Sequence, residues 1–506
     1  MKLILTYIIL FVSCMVYGQA GMLDNSFSND GKFTFANLNT SQCQAMSVGI
    51  QPDGKIVLLG TQLITFPIDF IVMRANTDGS IDQTFGNNGV VISNISGDDS
   101  PHKILALPDG KLVAVGYTGD FDFSLIKYNY NGTIDSTFGN NGITTTDLLS
   151  GSVDLAVTAL LQPDGKIVAG GYTTQNNQQD FALARYNVDR TLDTLFGNNG
   201  IVVSNIINLG NDIIAEICLA PNGKIIAVGS TNKFYQRPIV AMYTNSGDLD
   251  LTFGPGNKGY IIDSSNPNNS SYVSVASEPD GRFVVCSRFN VKRYLSSGFV
   301  DTTYGENGSS SSGFGVYEYV SFTKILTRAE GKYLLCGHKS DWADFLAVGL
   351  DENGFVDSLE YGVDGFMGVD FDSNHDYCYD AIFQQDGKLV MVGGAEETTN
   401  KFAAIRLLGD LTIGLVEFSL TEPPPLLYPN PLQNTEHLKY TLAEDNQISI
   451  ALFDSQGKMV TTFVENEKQP KGYHEVELIL PTNLPSGTYF IQIASPKGKI
   501  SIKAIK

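Results

Sequence analysis

The chain has 506 residues, with 33 Lys and Arg against 54 Asp and Glu, a net charge of −21. So acidic a balance excludes nucleic acid as a partner, because phosphate recognition needs a basic stripe. Hydrophobic residues make up 42% and charged residues 17%, with 51 glycines and one tryptophan; this is a globular chain rich in turns and short strands, not a disordered one.

The chain opens on a targeting segment. Lys2 gives a positive start, and Leu3 to Val16 is a short apolar run. Small or permissive residues follow at Val16-Tyr17-Gly18 and Gly18-Gln19-Ala20. Residues 1–20 read as a cleaved secretory signal, too short to span a bilayer. Phe11-Val12-Ser13-Cys14 offers a lipoprotein-type rival, although Phe11 fits that pattern poorly. The remaining cysteines, Cys43, Cys218, Cys286, Cys336 and Cys378, are odd in number and form no C-x-x-C pair, so they read as small buried hydrophobes with free thiols.

From residue 21 to 416 the sequence repeats. A turn of the form Pro-Asp-Gly-Lys recurs seven times, with its glycines at Gly54, Gly110, Gly165, Gly223, Gly281, Gly331 and Gly387. A second motif, clearest in Asp82-Gln83-Thr84-Phe85-Gly86-Asn87-Asn88-Gly89, also has seven copies, beginning at Leu23-Asp24, Ile81-Asp82, Ile134-Asp135, Leu192-Asp193, Leu249-Asp250, Val300-Asp301 and Val356-Asp357. Each period predicts four strands; in the first they are Ala45–Gln51, Lys55–Gly60, Asp69–Ala75 and Val90–Ser93. Asp-Gly and Asn-Gly between apolar runs are hairpin turns. Four short strands per repeat predict a seven-bladed β-propeller. The register of the ends predicts that Lys32 to Ala36 completes the seventh blade, removing a free edge.

These motifs, with Asp180-Phe181-Ala182-Leu183-Ala184-Arg185-Tyr186-Asn187, resemble the delta-60 repeats of bacterial propeller-like proteins. The fifth copy departs, because Asn290-Val291-Lys292-Arg293-Tyr294 lacks the Asp-Phe start. The resemblance implies a fold and no common chemistry.

Residues 417–426, with Glu422-Pro423-Pro424-Pro425, predict a stiff linker. Residues 427–506 predict a small Ig-like β-sandwich with strands at His437–Leu442, Gln447–Phe453, Met459–Val464, Tyr473–Leu480, Thr488–Ala494 and Ile500–Ile505. This module carries eight lysines and eight acidic groups, so the acidity lies before it. Tyr428-Pro429-Asn430-Pro431, Leu452-Phe453-Asp454-Ser455-Gln456-Gly457-Lys458, Leu484-Pro485-Ser486-Gly487-Thr488-Tyr489-Phe490 and the Lys-rich end resemble the type A C-terminal sorting domain of the type IX secretion system. That resemblance implies recognition by the type IX machinery, and a product that is secreted or attached to the outer-membrane surface.

The repeated turns share one face of such a ring, and the variable loops share the other, where a rigid scaffold favours binding. Asp120, Asp122, Tyr235 and Trp342 are the candidate binding residues there: the carboxylates as an acidic pair, the aromatics as stacking platforms for sugar rings. Asn76-Thr77-Asp78-Gly79-Ser80, Asn129-Tyr130-Asn131-Gly132 and Asp351-Glu352-Asn353-Gly354 space oxygen ligands as calcium loops do, but Asx turns account for the same residues, and no metal site is assigned. His102, His338 and His375 occupy different phases of the repeat, no catalytic motif occurs, and neither catalytic residues nor a cofactor are assigned. The sequence thus predicts a monomeric, exported binding or structural module with an extracellular glycan or protein as ligand. The alternative is a polysaccharide hydrolase or lyase using the variable face, which requires converging carboxylates with one pKa raised.

Overall fold

The computed structural model describes residues 20–35, 43–62, 68–233, 235–265, 270–310, 320–339, 344–371, 375–396, 400–409, 426–428, 435–442, 445–454, 459–481, 484–485, 487–495 and 498–506. Residues 1–19 of the predicted signal segment, with Cys14, the Pro-rich linker up to Pro425, and Trp342 lie outside these residues. No described helix is long and apolar enough to cross a membrane. The chain divides into two compact units, residues 1–410 and 411–506.

Among the described residues the first unit is all β apart from one 3₁₀ turn, Ala329–Gly331. It contains seven antiparallel four-stranded sheets among the described residues. Sheet 1 runs Cys43–Ile50, Ile56–Gln62, Phe70–Ala75, Val90–Ser93, close to the expected bounds. Sheets 2 to 6 follow in chain order, with first strands Ser100–Ala106, Val153–Leu161, Asn211–Leu219, Ser274–Ser277 and Val320–Thr327. Sheet 7 takes His375–Phe383, Leu389–Glu396 and Asn400–Leu407, and its fourth strand is Lys32–Phe35 from the other end of the unit. That strand pairs Lys32 with Ile405 and Phe35 with Phe402. Each first strand packs on the first strand of the next sheet, and that of sheet 7 packs on sheet 1, so these strands surround a common axis.

The second strands are apolar on both faces because each is covered on both. Ile56, Val57, Leu58 and Leu59 are all fully buried, each contributing about 1.5–3 kcal/mol by leaving water. Sheet 5, the divergent copy, is the smallest: strands of four residues and a last strand of two, Ser309–Ser310.

In six sheets the first strand carries a β-bulge, as between Ala156 and Thr158. A glycine of the second strand faces it. A Cβ on Gly171 would stand 1.8 Å from the carbonyl oxygen of Leu155, and Gly60, Gly116, Gly229, Gly337 and Gly393 are in the same position. Sheet 5 has Ser287 there and no bulge.

The second unit has a three-stranded sheet, Leu426–Tyr428, Thr435–Leu442 and Gly472–Ile479, and a four-stranded sheet of Met459–Gln469, Asn446–Asp454, Thr488–Ser495 and Gly498–Ile505. Leu426–Tyr428 is a strand the sequence did not announce. One core joins the two sheets, with Leu438, Tyr440 and Leu478 from the first and Ile448, Ile450, Leu452 and Ile491 from the second.

Candidate functional site

On the turn face the repeated residues are occupied with one another. In sheet 1, Arg74 Nε and Lys55 Nζ both donate to Asp82 Oδ2 at 2.8 Å. The Arg74 guanidinium lies 4.5 Å from the Phe85 ring and donates to the Tyr130 carbonyl of sheet 2. Sheet 3 repeats this with Arg185, Lys166, Asp193 and the Asn245 carbonyl of sheet 4. Sheet 7 does so with Arg406, Lys388, Asp24 and the Thr77 carbonyl of sheet 1. The signature Lys, Arg, Asp and Phe are therefore a latch between neighbouring sheets. The loops weighed as calcium ligands are closed by their own side chains: Ser80 N–H donates to Asp78 Oδ1 at 2.9 Å and Thr133 N–H to Asn131 Oδ1 at 3.1 Å.

Around the axis lies a polar ring that sequence reasoning missed: Ser47, Lys103, Thr158, Glu216, Ser274, Lys324 and Asp380, one from each first strand. Two triads repeat in it. Asp380 of sheet 7 accepts from Ser47 of sheet 1 and Lys103 of sheet 2, both at 2.8 Å. Glu216 of sheet 4 accepts from Ser274 of sheet 5 and Lys324 of sheet 6. Acids and serines also accept a backbone N–H from the following sheet, as from Ile104 to Ser47 Oγ and from Val275 to Glu216 Oε2. Burial pushes the Asp380 carboxyl up, but Lys103 and Lys324 outweigh it and hold it below the usual carboxylate range. The axial carboxylates are thus ion-paired and do not form the acid–base pair a hydrolase needs. The missed signal was present: every member stands seven residues before a turn glycine, and all seven are polar.

The variable face holds the candidate residues apart. Asp120, exposed, accepts from Ser96 Oγ at 2.6 Å. Tyr235, 68% exposed, stands on sheet 4, away from the two aspartates on sheet 2. Asp122 is brought together with two partners not singled out before, Asp147 and Asp154. The three carboxylates have oxygens within 4.8 Å of one another. Asp122 lies across the ladder from Asp147, one step beyond the Phe123–Thr146 pair, and Asp154 belongs to the first strand of sheet 3. Burial and the charges of Asp147, Asp154 and Asp120 all raise the Asp122 pKa. Burial raises that of Asp154 against hydrogen bonds from the Thr173 hydroxyl, the Leu148 N–H and Ser152. Asp344, Asp370 and Asp376 form the same cluster between sheets 6 and 7, with Lys339 Nζ 3.6 Å from Asp344.

The histidines are packed against aromatics. His102 stacks on Tyr117 at 5.5 Å, and burial lowers its pKa to about 4. His338 meets Tyr377 edge-on at 5.0 Å. The five described cysteines are free thiols; Cys286 and Cys336 are fully buried.

Residues 51–85, 107–138, 162–196 and 220–253 match the family described as domain of unknown function (DUF5122) beta-propeller. Four of the seven repeats thus match the DUF5122 β-propeller model. Residues 426–506 match the secretion system C-terminal sorting domain. The matched DUF5122 segments each run from the Pro-Asp-Gly turn to the Leu-Asp motif, so the family signature coincides with the latch. No curated protein matches the chain. Among solved structures, a protein of unknown function from Dyadobacter fermentans is 11% identical, with 75% of this chain and 98% of that chain covered and a TM-score of 0.45. The extracellular domain of a putative hybrid two-component system from B. thetaiotaomicron is 10% identical, covering 97% and 58%, with a TM-score of 0.40. Polysaccharide lyase Uly1 is 10% identical, covering 78% and 98%, with a TM-score of 0.42.

Proposed function

We propose that this chain is an exported, monomeric seven-bladed β-propeller over residues 21–416, acting as a binding or structural module at or beyond the cell surface. Residues 427–506 serve as an Ig-like sorting domain addressed by the type IX machinery, and residues 417–426 join the two. The observation that carries the binding reading is the neutralised axis. Glu216 and Asp380 are each matched by a lysine, and the signature residues are absorbed by the latches, so the variable loops are the surface left for a ligand. Asp120, Asp122, Tyr235 and Trp342 are the residues proposed to meet an extracellular glycan or protein there. The test is a glycan array on the purified mature protein, followed by incubation with each retained polysaccharide and measurement of reducing ends and of unsaturated products at 232 nm. Retention with no cleavage is expected. Turnover that survives purification would overturn the reading in favour of a hydrolase or lyase.

A further inference from the structure

The junction between sheets 2 and 3 lacks a bond that closes the other six. On the turn face of those six, a backbone N–H of one sheet donates to a carbonyl of the next. Gly86 donates to Asn131 at 2.8 Å and Gly197 to Ser246 at 2.6 Å, and Ser28, Gly254, Gly305 and Gly362 do likewise. The residue after the accepting carbonyl is always a left-handed glycine, as at Gly132 and Gly247. That glycine lies hard against the donor. A Cβ on Gly132 would stand 3.0 Å from Gly86 N, and one on Gly247 2.9 Å from Gly197 N. In sheet 3 the position is Arg190, held at the same left-handed conformation, φ 83°, which only glycine adopts without steric cost. Its Cβ has no room in the closed arrangement, and the two turns part. Gly139 keeps the φ of 54° found at Gly197, so its N–H faces the next sheet in the same way. Among the described residues that N–H has no acceptor.

The latch is altered at the same place. Lys127 stands where sheets 1 and 3 have Arg74 and Arg185. It reaches neither a carbonyl of sheet 3 nor Asp135, whose Oδ2 accepts from Lys111 at 2.8 Å. The Lys127 ammonium lies 5.7 Å from the centre of the Phe138 ring, and the Arg190 guanidinium 5.9 Å from the same ring. Among the described residues neither cation has an ion pair or a hydrogen bond. Asp189 senses the Arg190 charge, but its Oδ1 is taken by the Thr191 N–H at 3.2 Å and Thr191 Oγ1 at 2.8 Å.

A groove of about 730 Å³ opens here, lined by Gly139, Asn140, Thr144, Asp189 and Arg190, with Asp120 of the variable face. Asp120 is engaged by Ser96. Thr144 Oγ1 is buried 2.5 Å from the place a Cβ on Gly139 would take, and it too has no partner. In a chain of net charge −21, two unpaired cations, an unpaired N–H and an unpaired hydroxyl gathered at one opening are the groups that hold an anion.

We propose that the groove between sheets 2 and 3 binds an oxyanion of the sulfate or carboxylate class, with Arg190 and the Gly139 N–H as its direct donors. The planar guanidinium offers two parallel N–H bonds to such a group, and Lys127 adds a second positive charge beside Phe138. Arg190 replaces a closing glycine, so this repeat gives up a junction bond and gains a site.

The experiment titrates the mature full chain by calorimetry with sodium sulfate, with dextran sulfate and with sodium chloride, all at one ionic strength. Sulfate should bind and chloride should not. Binding of the polymer as well assigns the site to the charged groups of a polysaccharide; binding of the free ion alone assigns it to a small anion. Arg190→Gly should weaken sulfate binding at least about tenfold. The same change lets the Gly139 N–H reach the Asp189 carbonyl, so the anion-free thermal midpoint should rise by about 2 °C. Lys127→Met should weaken binding by about twofold to fivefold, and Arg237→Gln, exposed on sheet 4, should leave it intact. Sulfate bound no better than chloride, undiminished binding in Arg190→Gly, or a midpoint that does not rise in that variant would overturn the proposal. Equal loss in Arg237→Gln would do the same, by showing a general charge effect.

Discussion

Lys324 and Glu216 sit on sheets 6 and 4, with Ser274 of sheet 5 between them. Removing one partner of a buried pair leaves the other charge uncompensated, at about 3–5 kcal/mol. Lys324→Met should therefore lower unfolding stability in urea by about that much, and adding Glu216→Gln should restore most of it. The latch aspartates respond to acid. Hydrogen bonds from Lys111 and Thr137 hold Asp135 at about 2. Burial raises Asp24, but Ser26, Lys388 and Arg406 outweigh it and bring it to about 2. A depressed folded pKa contributes stability above the unfolded value near 4 and loses it as pH falls through 2. The thermal midpoint should be flat from neutrality to about pH 5 and drop between about 4 and 2, less steeply in Lys111→Met. The latch was legible as recurrence, since Lys, Arg and Asp return in phase. Its purpose was not, because the Arg74 target is the carbonyl of Tyr130, 56 residues on. Asp122 stands out in the sequence by its place in a variable loop, whereas Asp147 and Asp154, which the fold brings beside it, come from another loop and the next sheet.

Among elements, the bulge, its facing glycine and the axial polar residue form one device. The bulge turns the following residue, such as Thr158, to its place in the axial ring, and the carbonyl it displaces occupies the room a Cβ would need on Gly171. Gly171→Ala should cost about 3 kcal/mol, the upper end for a group inserted into a packed site, measurable by chemical unfolding. The four-strand period and its bounds were read from apolar runs and Gly turns. The bulge was not, because one extra residue in a first strand shifts no turn. The closing strand offers a second check. Deleting residues 21–37 removes the partner of Phe402–Ile405 and the Asp24 that pairs with Arg406. With about 3–5 kcal/mol for the stranded arginine and about 1–2 °C per kcal/mol in a domain of roughly 390 residues, the midpoint should fall by about 5 °C. An unchanged midpoint would mean that the strand is dispensable.

At the scale of the molecule, the two compact units have separate cores. A chain ending at Val416 should unfold at the same midpoint as the first transition of the full protein by calorimetry, and in the native host should remain in the periplasm. Arrival of that truncation at the surface would remove the role given to residues 427–506. This two-part organisation was readable because composition changes abruptly: the repeat stops, prolines follow and the net charge falls to zero. The ligand was not readable, since the loops that would hold it are the part of each repeat that does not recur.

Sheet 7 also brings the two ends of the first unit side by side: Gly21 N–H donates to the Leu408 carbonyl at 2.8 Å, and Leu408 N–H to the Met22 carbonyl at 2.7 Å. The ring accordingly has a seam but no preferred place for it. A circular permutant that joins residue 409 to residue 20 through a few glycines, and opens instead at the Asn176-Asn177 hairpin tip of sheet 3, would keep every ladder and every latch. Which repeat comes first is then a matter of gene order alone, and the axial triads, which are fixed in space, would fall in a different order along the chain.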